Sequence, residues 1–101
     1  MAAYIVMTRL RTHADGSGLV AYGEAAQKAP ATSARVVAST KIGRWKTLEG
    51  ETPDVVSVIR FDSWDDALGW YESAEYQAAR QHRLPACDVG AIIIDAPEAN
   101  G

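Results

Sequence analysis

Cysteine is nearly missing from this chain: Cys87 stands alone among 101 residues. A single thiol excludes an internal disulfide and points to a reducing compartment. Histidine is almost as scarce, with only His13 and His82. Neither a CxxC nor an HxxxH spacing occurs, so the convergent ligand set of a metal site is lacking, and no metal or other cofactor is expected. A basic surplus is lacking as well. Ten Lys and Arg stand against 13 Asp and Glu, a formal charge of −3, which argues against the basic face of a nucleic-acid binder. No apolar run approaches the roughly 20 residues of a membrane-spanning helix. The first residues have neither the basic stretch nor the apolar core of a signal peptide. A cytoplasmic protein with no nucleic-acid and no membrane partner is the expectation.

What is present is apolar substance. Apolar residues make up 48% of the chain, enough for one compact domain. That domain is expected over residues 1–96, with a polar Pro/Gly tail at 97–101. Residues 4–10, YIVMTRL, read as a strand. The loop THADGSG follows, and Ser17 is placed to cap a helix in which Leu19, Tyr22, Ala25, Ala26 and Ala29 recur at helical spacing up to Pro30. Residues 34–42 read as a second strand, with 44–49 as its continuation or a short extra strand. Residues 50–54 form a turn, and 55–61 and 91–95 complete four strands.

The densest information lies in residues 61–83, FDSWDDALGWYESAEYQAARQHR. Ser63 sits at an N-cap with Asp66 three residues on, the spacing of a capping box. Trp64, Ala67, Leu68 and Tyr71 then occupy one helical face. Ser73 is placed to cap a further helical segment carrying Tyr76, Arg80, His82 and Arg83, which Pro85 ends. The resulting order, βαββαβ, calls for an α+β fold: a four-stranded antiparallel sheet with two helices on one face. Apolar residues run successively through Tyr4-Ile5-Val6-Met7 and through Val55, Val56, Val58 and Ile59. A sheet with one wet face would alternate apolar and polar. Both faces must therefore be covered, and a second copy of the chain, packed sheet to sheet, is the natural cover for the face without helices.

Several motifs carry little. Gly16, Gly18 and Ala21 match a loose G-x-G-x-x-A pattern, but the segment beyond the next strand is basic and no parallel βαβ units follow, so a helix-entry loop is the better reading. No G-x-S-x-G occurs. Cys87 has no neighbouring cation in sequence to activate it and reads as a small buried residue, and His13 as a solvated loop residue. The Tyr/His/Arg group is the stronger candidate. His82 is of the residue type that suits acid–base work. Tyr76 can donate to a developing oxyanion. Tyr71 can do the same. Arg35, Arg44, Arg60 and Arg80 can grip an anionic group bidentately, and Trp45, Trp64 and Trp70 can wall an aromatic pocket. Packing competes for Trp64 and Tyr71, and compensation of a helix dipole competes for His82 and Arg83.

These residues also carry a resemblance. Leu19-Val20-Ala21-Tyr22 after the first strand, Leu48-Glu49-Gly50, and above all FDSWDDA running into WYESAEYQAAR and Arg83 resemble the domain-of-unknown-function 1330 family, over residues 4–95. The chain departs from it at Ser33-Ala34-Arg35, where Gly-Gly-Arg is common, and at Ala74, where Pro is frequent. The resemblance implies a ferredoxin-like domain, a homodimeric α+β barrel, and a small-molecule pocket between sheet and helices. Its wider superfamily includes cofactor-free monooxygenases, isomerases, aromatic cyclases and haem enzymes, so it implies no single activity. The first expectation is a cofactor-independent isomerase or cyclase that rearranges an aromatic or polyketide-like substrate by proton transfer, with His82 and Tyr76 catalytic. A non-catalytic dimer binding a ligand or partner is the alternative, and a cofactor-free monooxygenase a further one.

Overall fold

A computed structural model describes residues 2–12, 17–26 and 33–97. It contains strands β1 (Ala2–Thr12), β2 (Arg35–Ser39), β3 (Val55–Phe61) and β4 (Cys87–Ala96), with helices α1 (Ser17–Ala26), α2 (Trp64–Glu72) and α3 (Ala74–Arg83). All strand pairs are antiparallel, in the order β2-β3-β1-β4. This is the expected βαββαβ sheet, with three helices because Ser73 divides the second helical region. Its backbone is extended (φ −62°, ψ 149°), and its hydroxyl accepts from the Tyr76 amide while donating to the Trp70 carbonyl. One side chain thus closes α2 and opens α3. Ser63 caps α2 through the Asp66 amide at 3.0 Å, as its spacing foretells.

Several strand boundaries differ from the sequence reading, β1 among them, which runs Ala2–Thr12 rather than 4–10. β2 stops at Ser39 rather than at residue 42. The Ser39 hydroxyl accepts from the Lys41 amide and its carbonyl from the Ile42 amide, so a local turn takes the groups that a longer ladder would use. Residues 44–49 form no strand. β4 begins earlier, at Cys87, because β1 shifts register between Arg9 and Arg11 and brings Arg11 and Thr12 opposite Asp88 and Cys87. Such a bulge lengthens pairing past the point where apolar alternation ends. Residues 13–16, with His13 and Gly16, and residues 27–32, where α1 was expected to end, lie outside the described residues.

Odd-numbered residues of β1, β3 and β4 share the face beneath the helices. Ala3, Ile5 and Phe61 are buried there against Ala67, Trp70 and Tyr76. The helical stripe is therefore Ala67 and Trp70, a correction to the expected face: Trp64 at the first turn of α2 is exposed, and Tyr71 is half-buried. The other sheet face carries Val6 between Val58 and Ile92, with Tyr4 between Arg60 and Ile94. Ile92 is 59% exposed and Ile94 48%. It is the apolar second face that the successive strand hydrophobics call for.

Helices α1 and α3 pack closely. A Cβ placed on Gly18 would lie 2.7 Å from the His82 carbonyl oxygen and 3.3 Å from the Ala86 methyl. Gly18 thus serves the approach of two helices. Gly18→Ala gains about 1 kcal/mol of helix propensity, but the backbone shift it forces costs about 1–3 kcal/mol. Denaturant unfolding is expected to show net destabilisation.

Candidate functional site

A cavity of about 330 Å³ lies between the helix-side face of the sheet and the three helices. Its floor includes Met7, Arg9, Ser57 and Ile59; Leu19, Tyr22 and Gly23 of α1, Trp70 of α2 and Arg83 of α3 close it above, and Lys41 stands on the wall beyond β2. Strand parity explains the floor. Arg9 extends the inward row Ala3, Ile5, Met7, so the strand that buries its apolar residues also sends one guanidinium into the cavity.

Behind the wall lies a polar cluster. The Tyr22 and Tyr76 hydroxyls are 2.8 Å apart, and Arg83 Nη2 donates to the Tyr76 hydroxyl at 3.3 Å. The Arg83 guanidinium also sits 5.4 Å from the Tyr22 ring centroid, a cation–π distance. The Met7 sulfur is a weak acceptor 3.9 Å from both hydroxyls. Arg83 donates to Tyr76, and either phenol of the Tyr22–Tyr76 pair can donate to the other, with the Met7 sulfur as a further acceptor. A charged donor at the head of such a chain polarises each link. Tyr76, Ala79 and Arg83 are buried at i, i+3 and i+7 of α3, the helical repeat that brings Tyr76 and Arg83 to one side.

Burial, and then the hydrogen bond with Tyr76, push the Tyr22 pKa well above its ordinary 10.0; Arg83 opposes this weakly. Tyr22 is therefore a neutral donor. Burial works against the Arg83 charge, but its contacts with Tyr76 and Tyr22 outweigh burial and leave its pKa above the usual value. The Tyr22 shift makes stability pH-dependent. A raised folded pKa means that the folded chain holds the phenolic proton more tightly than the unfolded one. That contribution is complete below the ordinary tyrosine pKa and fades as pH climbs past it toward the raised value. Between about pH 9 and about pH 11, thermal unfolding is expected to show a larger stability loss in the wild type than in Tyr22→Phe.

The residues singled out from sequence are dispersed. Tyr76 is fully buried, behind the cavity lining. His82 is exposed, one residue off the buried stripe of α3, and is not in that lining. His82 and Arg83 therefore face different surroundings, because adjacent helical residues point about 100° apart. Arg80 and Tyr71 line a second cavity of about 320 Å³ that shares Arg83, Cys87 and Val89 with the first. Arg60 is paired in register with Tyr4 on the open sheet face and bridges to Asp62 at 3.0 Å. Arg35 pairs with Arg60 across β2 and β3 and is exposed. Arg44 and Trp45 are exposed in the segment between β2 and β3, and Trp64 is exposed on α2. Tyr22, Arg83 and Arg9 were not chosen as site residues. Strand parity could have exposed Arg9, and the seven-residue spacing from Tyr76 could have exposed Arg83. Among the described residues no group of His, Cys, Asp and Glu is placed to hold a metal ion, and no helix is long and apolar enough to cross a membrane.

A family model described as a domain of unknown function, DUF1330, matches residues 2–97. No curated protein matches the chain. Among solved structures, the chain is similar to a protein of unknown function from Rhodopseudomonas palustris (19% identity, TM-score 0.66, covering 96% of this chain and 83% of that one). It is similar to a dimeric ferredoxin-like protein of unknown function from Bacteroides fragilis (17%, TM-score 0.56, 94% and 95%). It is also similar to the hydroxynitrile lyase of Passiflora edulis (17%, TM-score 0.55, 96% and 94%). At these identities the likeness establishes the ferredoxin-like fold alone.

Proposed function

This chain belongs to the DUF1330 family, and from that premise we propose that it is a dimeric small-molecule-binding protein whose ligand enters the cavity between sheet and helices. One observation carries the reading: the Arg83 guanidinium, in a residue only 5% exposed, stands in the wall of an open, largely apolar cavity with no carboxylate paired to it among the described residues. A buried charge without a counter-charge is costly. A ligand oxygen at the cavity wall would supply one, with the Tyr22 hydroxyl as a second polar contact. Two copies joined through their open sheet faces would leave one such cavity beneath the helices of each.

The finer reading, proton-transfer rearrangement of an aromatic or polyketide-like substrate, draws support from the same cluster. Tyr22 and Arg83 are donors of the kind that stabilise a developing enolate or phenolate oxygen, and Tyr76 orients them. His82, as acid or base, would have to reach the cavity from the exposed side of α3, so binding is the reading that the geometry favours.

Gly23 supplies the test. It lines the cavity, and a Cβ there meets nothing within 4 Å, so a large side chain can occupy the space without disturbing the core. Fluorescence titration with 2-naphthol, a neutral aromatic probe, is expected to give saturable binding to the wild type. Gly23→Trp should weaken it at least tenfold with an unchanged circular dichroism spectrum. Equal binding by Gly23→Trp would place the ligand elsewhere.

A further inference from the structure

We infer that the sheet–helix cavity selects a small carboxylate with an apolar body, and that Arg9 and Arg83 hold its charge. This rests on the ligand-binding reading above and adds the chemical class of the ligand. The chain carries more acids than bases, yet the charged residues of the cavity wall, Arg9, Lys41 and Arg83, are all cationic. Among the described residues no carboxylate pairs with any of the three.

The contrast with Arg11 is direct. Two residues further along β1, Arg11 reaches Glu51 at 2.8 Å and Asp88 at 3.6 Å on the surface. Arg9 and Arg83 instead stand in the cavity wall, Arg83 only 5% exposed, with no acidic side chain paired to either among the described residues. Two independent elements, strand β1 and helix α3, thus bring a guanidinium without a counter-ion to the same cavity. Guanidinium groups match a carboxylate geometrically. Tyr22, kept neutral, donates to an anion but does not compensate its charge. The remaining wall, including Val36, Ile59, Trp70 and Val89, suits an apolar body. A dianionic phosphate would be costlier to desolvate among these side chains.

Calorimetric titration of the intact protein with naphthalene-2-carboxylate, naphthalene-2-carboxamide and naphthalen-2-ylmethylammonium separates the possibilities. The carboxylate is expected to bind at least tenfold tighter than the amide, the difference between a charge-assisted and a neutral hydrogen bond, and the ammonium weakest. Arg9→Gln should bring carboxylate affinity down about tenfold, toward that of the amide, and leave the amide unchanged. Arg9 is the cleaner position because Arg83 also holds Tyr76; Arg83→Gln is the second variant, read only where its thermal transition persists. An amide that binds as tightly as the carboxylate overturns the inference. So does a carboxylate preference that survives in Arg9→Gln. Absence of binding by all three probes and by 2-naphthol removes the cavity reading and this inference together, whereas binding without charge preference removes this inference alone.

Discussion

Tyr76→Ala is expected to destabilise the protein by about 3–5 kcal/mol, the range for truncating a large buried aromatic side chain. Tyr76 is fully buried, with its ring centroid 4.4 Å from that of Trp70, 5.1 Å from Tyr71 and 6.0 Å from Tyr22. Truncation opens a void where both helices after β3 meet the sheet. It also strips Arg83 and Tyr22 of a shared hydrogen-bond partner. Most domains of this size have a total stability of only about 5–15 kcal/mol, so the variant should lie close to unfolding at ordinary temperature. Tyr76→Phe separates the two contributions. It keeps the ring and removes the hydroxyl, at an expected cost of about 1–3 kcal/mol. Urea denaturation of both variants reads the difference directly. If the two cost the same, the cluster outweighs the packing.

The second large effect lies on the opposite side of the sheet. Ile92 is more than half exposed in a row with Val6 and Val58, a pattern suited to a partner surface. In a two-fold dimer a substitution enters the interface twice. Ile92→Lys loses about 1–2 kcal/mol of apolar burial per copy, so it should raise the dissociation constant about a hundredfold or more. Sedimentation velocity at micromolar concentration is expected to give a dimer for the wild type and mostly monomer for the variant. Its melting temperature should fall and lose its concentration dependence, because subunit association stabilises by mass action. A wild type that sediments as a monomer would dispose of the barrel arrangement while leaving the cavity of each chain in place.

The sequence carried the fold further than the site, for a physical reason. Strands and helices announce themselves through periodicity. The successive apolar residues of β1 and β3 foretold a sheet apolar on both faces, and Ser63 and Ser73 foretold the helix starts through their caps. Where local turn chemistry competed with that signal, as at Ser39, the sequence reading overran. The site depends on which residues the fold brings together, and residue type is a weak guide to that. His82 and Arg83 are neighbours of similar charge, yet a single residue step around α3 leaves one in water and turns the other into the cavity. Arg60 and Arg9 lie on adjacent strands, and parity alone puts them on opposite faces of the sheet. Tyr76 was singled out for its hydroxyl, whose partners, Tyr22 and Arg83, became visible only once α1 and α3 were packed together.

The central claim is that a ligand occupies the space between sheet and helices, and mapping backbone amide shifts by NMR during titration with naphthalene-2-carboxylate tests it most directly. The account predicts the largest shifts at Arg9, Tyr22, Gly23, Ile59, Arg83 and Val89, with Val6, Val58 and Ile92 unmoved. Shifts confined to that second group, on the face that carries no helices, would contradict it.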